Sequence, residues 1–209
     1  MVTPDQGSPL RSDASYAWDF CGGHLALDFT NTVGDRGARP VEHFHTFGDI
    51  VAWAEARRVV SKPEAGALRQ HAAANPDAAR RAWRSAVALR EAVYEVLTAA
   101  VTRRKPKPAD LDVLNDAVRT TFQHAALAAA GNRFTLETPA DRGLDAVLAP
   151  VVRATVDLLT SDALSHVGRC ADDECQWLFL DTTRSGTRRW CDMKSCGNRH
   201  KVRRFRRST

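Results

Sequence analysis

Hydrophobic residues recur every three or four positions over much of the chain from Phe47 onward, which predicts a mainly helical fold. The clearest stripe is spaced by four, three, four, three and four positions, and it holds five apolar or aromatic residues and one arginine: Trp83, Val87, Arg90, Tyr94, Leu97 and Val101. Pro63 and Pro76 suit the first turns of two helices, because the backbone N–H groups of a first turn have no hydrogen-bond acceptor within the helix. The Lys105–Pro108 segment should end the helix that carries the stripe.

Two more stripes follow, one over Leu111–Ala125 and one over Leu144–Leu158, where Pro150 marks a kink or a start. Short strands are expected where the period falls to two, over Gly22–Val33 and around Phe134 and Leu136. The fold class is therefore mainly α with short β-strands, an α+β N-terminal domain.

A chain of 209 residues accommodates one ordinary domain and a small appendage. The predicted division is a flexible arm over 1–17, a mostly helical domain over 18–165 and a small module over 166–209. The first twenty residues hold no secretory signal, and no run approaches the ~20 apolar residues that span a bilayer. A cytoplasmic location is expected.

Four of the five cysteines form two pairs with equal spacing, Cys170-x4-Cys175 and Cys191-x4-Cys196, and Cys21 stands apart. Paired cysteines in a chain without a secretory signal indicate metal binding, here one structural Zn²⁺ with four thiolate ligands. Two disulfides or an iron–sulfur cluster are the alternatives. Four protein ligands close the coordination shell, which disfavours a catalytic zinc.

The sequence around these cysteines predicts a treble-clef-like zinc ribbon. A knuckle at the first pair leads into a β-hairpin, in which Gln176–Asp181 pairs with Arg188–Trp190. Asn198 then caps a helix over Arg199–Arg207. On this helix Val202 and Phe205 are the apolar residues, so their edge is expected to dock.

Positive charge is concentrated in the same module. The formal net charge is +5, yet Arg184–Thr209 holds ten basic residues and one acid, so this segment carries +9 and the remainder carries −4. Such an asymmetry favours binding to a polyanion, DNA first and RNA as the alternative. The candidate contacts are Arg188, Arg189, Lys194, Arg199, Lys201, Arg203, Arg204, Arg206 and Arg207. Two alternative interpretations of the basic segment remain, a solvated tail and a protein-interaction module. A homodimer is expected, because one finger offers little affinity for nucleic acid.

Arg90 is the polar residue within the clearest helical stripe, and a buried arginine must be paired. It could bridge to Asp28, or it could form a pocket for an unknown anionic small-molecule effector with Asp28 and Asn31. The chain shows no Gly-rich phosphate loop and no nucleophile motif, so an enzyme is not expected.

The segment Cys191–Arg199, with its Cys196-Gly197-Asn198-Arg199 tetrapeptide, resembles the CGNR zinc-finger signature, and Trp177–Arg184 also fits it. The segment Gly23–Thr32 resembles the start of the ABATE domain that usually precedes this finger. The resemblance implies a bacterial stress-induced transcriptional regulator.

Overall fold

The computed structural model describes residues 18–123, 125–137 and 143–207, except the side chains of Arg204 and Arg207. The predicted arm over 1–17 lies outside these residues. In the described ranges, no helix has both the length and the apolar composition needed to cross a membrane.

Helices dominate the described residues, as predicted. They are α1 (Leu25–Thr30), α2 (Phe47–Ala56), α3 (Lys62–Ala74), α4 (Pro76–Val101), α5 (Pro108–Phe122), α6 (Ala149–Leu159) and α7 (Asn198–Arg207). Leu144–Leu148 and Asp162–His166 form 3-10 turns, and Met193–Gly197 forms a π-helical turn. Three antiparallel strand pairs complete the fold: β1 (Val33–Gly34) with β2 (Val41–Glu42), β3 (Ala126–Ala130) with β4 (Arg133–Glu137), and β5 (Val167–Arg169) with β6 (Leu178–Leu180).

Local capping explains where several helices begin. Thr46 and Ser61 each form a capping box, with Asp49 and Glu64 returning a hydrogen bond to the backbone before α2 and α3. Prolines stand in the first turns of α3, α4, α5 and α6, where a missing N–H costs nothing. The predicted starts near Pro63, Pro76 and Pro150 are confirmed.

The core is built around the 26-residue helix α4. The centre of its predicted stripe is buried, including Arg90, Tyr94 and Leu97. Helices α1, α2, α3 and α5 pack against α4. The rings of Phe29, Phe44 and Trp53 contact one another at centroid distances of 5.5–6.1 Å.

The strand predicted over Gly22–Val33 is wrong, because Leu25–Thr30 is helical. The Nδ1 atom of His24 accepts from the backbone N–H of Ala26 and starts this short helix. Every residue from Ala26 to Thr30 is buried, so both the apolar and the polar positions face protein. The period of two arose because Asp28 and Thr30, whose side chains have partners within the protein, alternate with apolar residues in a helix that is buried on nearly every side.

The helix predicted to run through Ala125 ends at Phe122, and Ala126–Ala130 is a strand. This strand pairs with Arg133–Glu137, the strand predicted around Phe134, through a turn in which Gly131 has a φ of +65°. Alanine favours helices, but here cross-strand pairing decides the conformation.

The predicted hairpin partner of β6 is also wrong. β6 pairs with β5, in the register Val167 with Leu180 and Arg169 with Leu178, rather than with Arg188–Trp190. The Arg188 backbone N–H instead donates to the Asp181 carboxylate at 2.8 Å. The Arg188–Trp190 segment is therefore held near the end of β6 by a side chain and not by strand pairing.

The other edge of β6 is held by the N-terminal part of the chain. The Asn31 amide forms two hydrogen bonds with the backbone of Leu178, donating to its carbonyl at 2.9 Å and accepting from its N–H at 3.0 Å. The Leu180 N–H donates to the Gly22 carbonyl at 2.8 Å, and the Trp177 indole donates to the Val33 carbonyl at 2.6 Å. Hydrogen bonds thus join the C-terminal module directly to the helical domain.

We expect Asn31→Ala to lower the free energy of unfolding by about 2–4 kcal/mol, because it leaves a buried N–H and a buried C=O of Leu178 without partners. Chemical denaturation monitored by circular dichroism measures this loss. Asn132→Ala, in the exposed β3–β4 turn, is the matched control and should change stability little. Equal stability of the two variants would contradict a structural role for Asn31.

Candidate metal centre and basic helix

The two cysteine pairs converge as their spacing predicts. Cys170, Cys175, Cys191 and Cys196 are buried, and their Sγ atoms all lie within 4.8 Å of one another. The Cys191 Sγ atom is 3.6 Å from the Sγ atoms of both Cys175 and Cys196. All four are free thiols, so the alternative of two disulfides is not observed.

These four sulfurs fit a tetrahedral metal ion. Metal–sulfur bonds of about 2.3 Å place neighbouring sulfurs about 3.8 Å apart on a tetrahedron, close to the shortest observed separations. Hydrogen bonds from the Cys175 and Cys191 thiols lower the pKa of the Cys170 thiol, while the bond with Cys170 raises the pKa of Cys191. A bound cation would stabilise all four thiolates together, because thiol groups that bind a metal must be deprotonated.

The first pair sits on a compact knuckle. The Cys170 N–H donates to the Trp177 carbonyl at 2.8 Å, and the Cys175 N–H donates to the Asp172 carbonyl at 3.0 Å. Gln176 then reverses the chain with a φ of +57°. These bonds turn both sulfurs inward.

The second pair lies at the start of a continuous helical segment, and the prediction that Asn198 caps it is wrong. Asp192 is the cap, since its carboxylate accepts from the Ser195 N–H at 2.9 Å. Asn198 instead donates its side-chain N–H to the Lys194 carbonyl at 3.1 Å, one turn back. A Cβ atom at Gly197 would lie 2.8 Å from the sulfur of the exposed Met193 side chain, so a side chain there would require that flexible group to move.

Arg199 joins the metal centre to its surroundings. Its Nη2 group donates to the Cys196 sulfur at 3.3 Å, and its Nε atom lies 3.0 Å from the buried Asp172 carboxylate. Burial would lower the pKa of Arg199, but the bond to the Cys196 sulfur and the charge of Asp172 raise it above its usual value. The cysteine, asparagine and arginine of the Cys-Gly-Asn-Arg tetrapeptide thus each make a separate structural contact.

Arg203 lies one turn further along α7 and contacts the same acids. Its guanidinium donates to the Glu174 carboxylate at 2.6 Å and to Asp172 at 3.3 Å. Helix α7 therefore docks through two arginines on the acidic knuckle. The prediction that Val202 and Phe205 form the docking edge is wrong, because they are 50% and 73% exposed.

Arg188 is also engaged within the protein. It donates to the carbonyl groups of Leu180, Trp190, Cys191 and Cys21, which ties β6 and the metal loop to the segment before α1. Of the predicted polyanion contacts, Arg188, Arg199 and Arg203 thus have structural partners.

Other predicted contacts face outward. Arg189, Lys194, Lys201 and Arg206 are exposed, with Arg189 over the Trp190 ring at 5.3 Å. The side chains of Arg204 and Arg207 lie outside the described part of the chain. Between Met193 and Thr209 the sequence contains no acid, so no acidic side chain within this segment offsets these cations.

The three residues predicted for an effector pocket do not form one. The Arg90 guanidinium is bonded to both oxygens of Glu42 at 2.6 Å and to Glu91 at 2.8 Å. Asp28 pairs with Arg57 at 2.8 Å, so the predicted Arg90–Asp28 bridge is wrong as well. Asn31 is bonded to the backbone of β6, as described above.

The charge of Glu42 matters for this cluster. Burial would raise the pKa of Glu42, but the hydrogen bonds and charge of Arg90 hold it below its usual value. Partners within the protein therefore account for the buried arginine. A cavity of about 340 Å³ lies elsewhere, between α4, α5 and the start of α6, and none of the three predicted residues lines it.

Sequence reasoning missed the acids that organise the basic helix. Asp172 and Glu174 lie inside the first cysteine loop, where three of the four intervening residues are acidic. A charge count that began at Arg184 left this loop out. An acidic run between two metal ligands, followed by arginines spaced by four on a helix, is the signal that could have found the pairing.

We expect Arg199→Ala to lower zinc affinity by about 10- to 100-fold, because groups bonded to metal ligands contribute effects of that size. Competition with a chromophoric chelator measures the affinity. Arg206→Ala removes an exposed arginine from the same helix and should leave the affinity unchanged. A similar affinity in both variants would show that Arg199 has no influence on the centre.

Comparison with known protein families finds two matches, one for each part of the chain. Residues 23–162 match the ABATE family, described as "Putative stress-induced transcription regulator", and residues 166–208 match the CGNR zinc finger. A search of the curated proteins finds no match. The two matched regions meet where the helical domain passes into β5. The chain therefore belongs to the ABATE family and carries a CGNR zinc finger after the ABATE domain.

Proposed function

We propose that this protein is a DNA-binding transcriptional regulator whose CGNR finger holds one structural Zn²⁺. The observation that carries the proposal is the set of exposed cations Arg189, Lys194, Lys201 and Arg206 beside the four-cysteine centre. Phosphate groups attract such a surface whatever the base sequence. The family description supports a role in regulating transcription.

The zinc has a structural role in this proposal. Four thiolates fill a tetrahedral shell and leave no position for water or substrate, so the function does not require catalysis. Zinc would hold the knuckle and the π-helical turn together and thereby orient α7. Four thiols kept reduced for a metal also suit the cytoplasm better than an oxidising compartment.

Duplex DNA is favoured over RNA by the form of the basic surface. Three of its four cations, Lys194, Lys201 and Arg206, lie on the continuous helical segment Met193–Arg207. The major groove of B-DNA admits a helix, whereas that of A-form RNA is too narrow. A homodimer belongs to the proposal as a means of raising affinity. In this scheme the ABATE domain supplies the contact between copies or responds to a signal.

Binding to random duplex DNA should weaken steeply with salt, and a Lys194→Ala, Lys201→Ala, Arg206→Ala triple variant should bind more weakly. The slope of log affinity against log salt should fall by about 1 for each phosphate contact removed. Fluorescence anisotropy at several salt concentrations measures both quantities.

The matched control for this triple variant removes two lysines and one arginine that are exposed outside the finger, through Lys62→Ala, Lys105→Ala and Arg133→Ala. It makes the same change in net charge and should retain the wild-type slope. Equal losses in the two variants would mean that overall charge, not this surface, attracts DNA. Tighter binding to single-stranded RNA than to duplex DNA would contradict the proposed regulator and identify an RNA-binding protein. If neither nucleic acid binds at low salt, the basic helix serves a protein partner.

The purified protein should contain about one zinc per chain by elemental analysis, because one tetrahedral shell is available. Cys175→Ser should lose most of the metal. Cys21→Ser changes a cysteine that packs against the cluster and contacts Cys191 but is not one of its four members, and it should keep most of the metal. Iron and sulfide in place of zinc would identify an iron–sulfur cluster. A metal-free wild-type protein would contradict the assignment.

A further inference from the structure

The face of α7 opposite its docked arginines carries an unusual mixture of side chains. Successive helix residues are rotated by about 100°, so Asn198, Lys201, Val202 and Phe205 share one side. Their spacing of three, one and three positions is that of a continuous helical stripe. All four are exposed, whereas Arg199 and Arg203 face Asp172 and Glu174.

The two apolar members of this stripe are costly to expose. Val202 is 50% exposed and Phe205 is 73% exposed on a helix that otherwise consists mainly of cations. An exposed phenylalanine alone needs no explanation. A valine and a phenylalanine one turn apart, with a lysine and an amide on the same side, form a surface that can contact both polar and apolar groups.

The surroundings define the chemistry of the partner. Lys194 and Arg206 are exposed near the two ends of the stripe, and Lys201 lies within it. The segment from Met193 to Thr209 has no acid. The partner must therefore be a polyanion that also presents apolar groups in a groove wide enough for a helix. The major groove of B-DNA meets this description, because the thymine C5-methyl group lies there among base-edge donors and acceptors.

We propose that Asn198, Lys201, Val202 and Phe205 form the base-contacting face of α7, with Val202 and Phe205 packing on thymine methyl groups in the major groove. This inference rests on the proposed binding of DNA. Arg199 and Arg203 keep the helix on the acidic knuckle and do not read bases. The flanking cations bind phosphates and set the depth of the helix in the groove.

The Asn198 side chain suits this face. Its amide nitrogen is bonded to the Lys194 carbonyl, which fixes the side-chain orientation. Its oxygen can accept from the N6 amino group of an adenine, the base paired with thymine. The stripe therefore predicts a preference for A·T base pairs.

Replacing thymine by uracil tests the proposal, because it removes only the C5-methyl group. Short duplexes of alternating A and T, the same duplexes with uracil, and duplexes of alternating G and C carry equal charge. Wild-type protein should bind the thymine duplex about fourfold or more tightly than the uracil duplex, the factor expected for burying one methyl group. It should bind the G·C duplex more weakly than the thymine duplex.

Substitutions in the stripe should remove this discrimination. Phe205→Ala and Val202→Ala should bind thymine and uracil duplexes more nearly alike, with an unchanged salt slope since no phosphate contact is lost. Lys201→Ala removes a positive charge as well as a member of the stripe, so it should lower affinity for every duplex and also reduce the salt slope. Leu127→Ala, at a position 72% exposed on β3, is the matched apolar control and should behave as wild type. Circular dichroism and zinc content verify that each variant is folded.

The possible outcomes distinguish failure of the base-contacting face from failure of the proposed binding of DNA. Failure of the wild type to bind any duplex rejects the proposed function. Salt-sensitive binding without thymine discrimination keeps that function and overturns the base-contacting face. If Phe205→Ala changes the sedimentation coefficient but not the discrimination, the apolar pair is an interface between copies, and the inference is again overturned.

Discussion

The convergence of four cysteine sulfurs is the constraint from which the arrangement of the C-terminal module follows. The two pairs are separated by fifteen residues, and bringing them together places β6 and the loop before Trp190 between them. A segment of this size buries too little apolar surface to fold by itself. The edge of the helical domain supplies part of what the small core lacks, and bonds from the four thiolates to a metal ion would supply the rest. Asn31, Gly22 and Val33 bond to the β6 segment, so closure of the centre also fixes the module against α1 and β1.

Charge in this module is divided between structure and surface by the acidic knuckle. Asp172 is buried and faces both Arg199 and Arg203, and a buried carboxylate without cations would be costly. Arg199 also donates to the Cys196 sulfur, so it would offset part of the negative charge of four thiolates around a bound divalent metal. Two of the cations on α7 therefore hold the helix against the knuckle. The remaining cations determine which partners the helix can bind. A count of arginines in the sequence overstates the charge available to a partner.

Features with local causes could be predicted from the sequence, while those with distant partners could not. Helices α2 to α6 follow from stripes, prolines and caps, and the four cysteines follow from their spacing. Helix α1 was mistaken for a strand because its polar face is buried against partners such as Arg57, which lies 29 positions away from Asp28. The docking of α7 was mistaken for the same reason, since Arg203 finds Asp172 across 31 positions. Hydrophobic periodicity predicts which face of an element is buried. It does not predict which charged side chains form ion pairs across the fold.

Polar contacts link the two matched regions of the chain into one framework. Asn31 was a candidate for effector binding, yet its amide completes the edge of β6, and Asp35 lies 3.7 Å from Arg199 beside the metal centre. The Gly37 N–H donates to the Glu174 carbonyl at 2.9 Å, so the loop after β1 contacts the knuckle that holds α7. The orientation of α7 is thus fixed by the ABATE domain as well as by its own metal ligands. Two copies held by their ABATE domains would place their α7 helices at a defined separation, and that separation, rather than the finger alone, would select the spacing of sites on DNA.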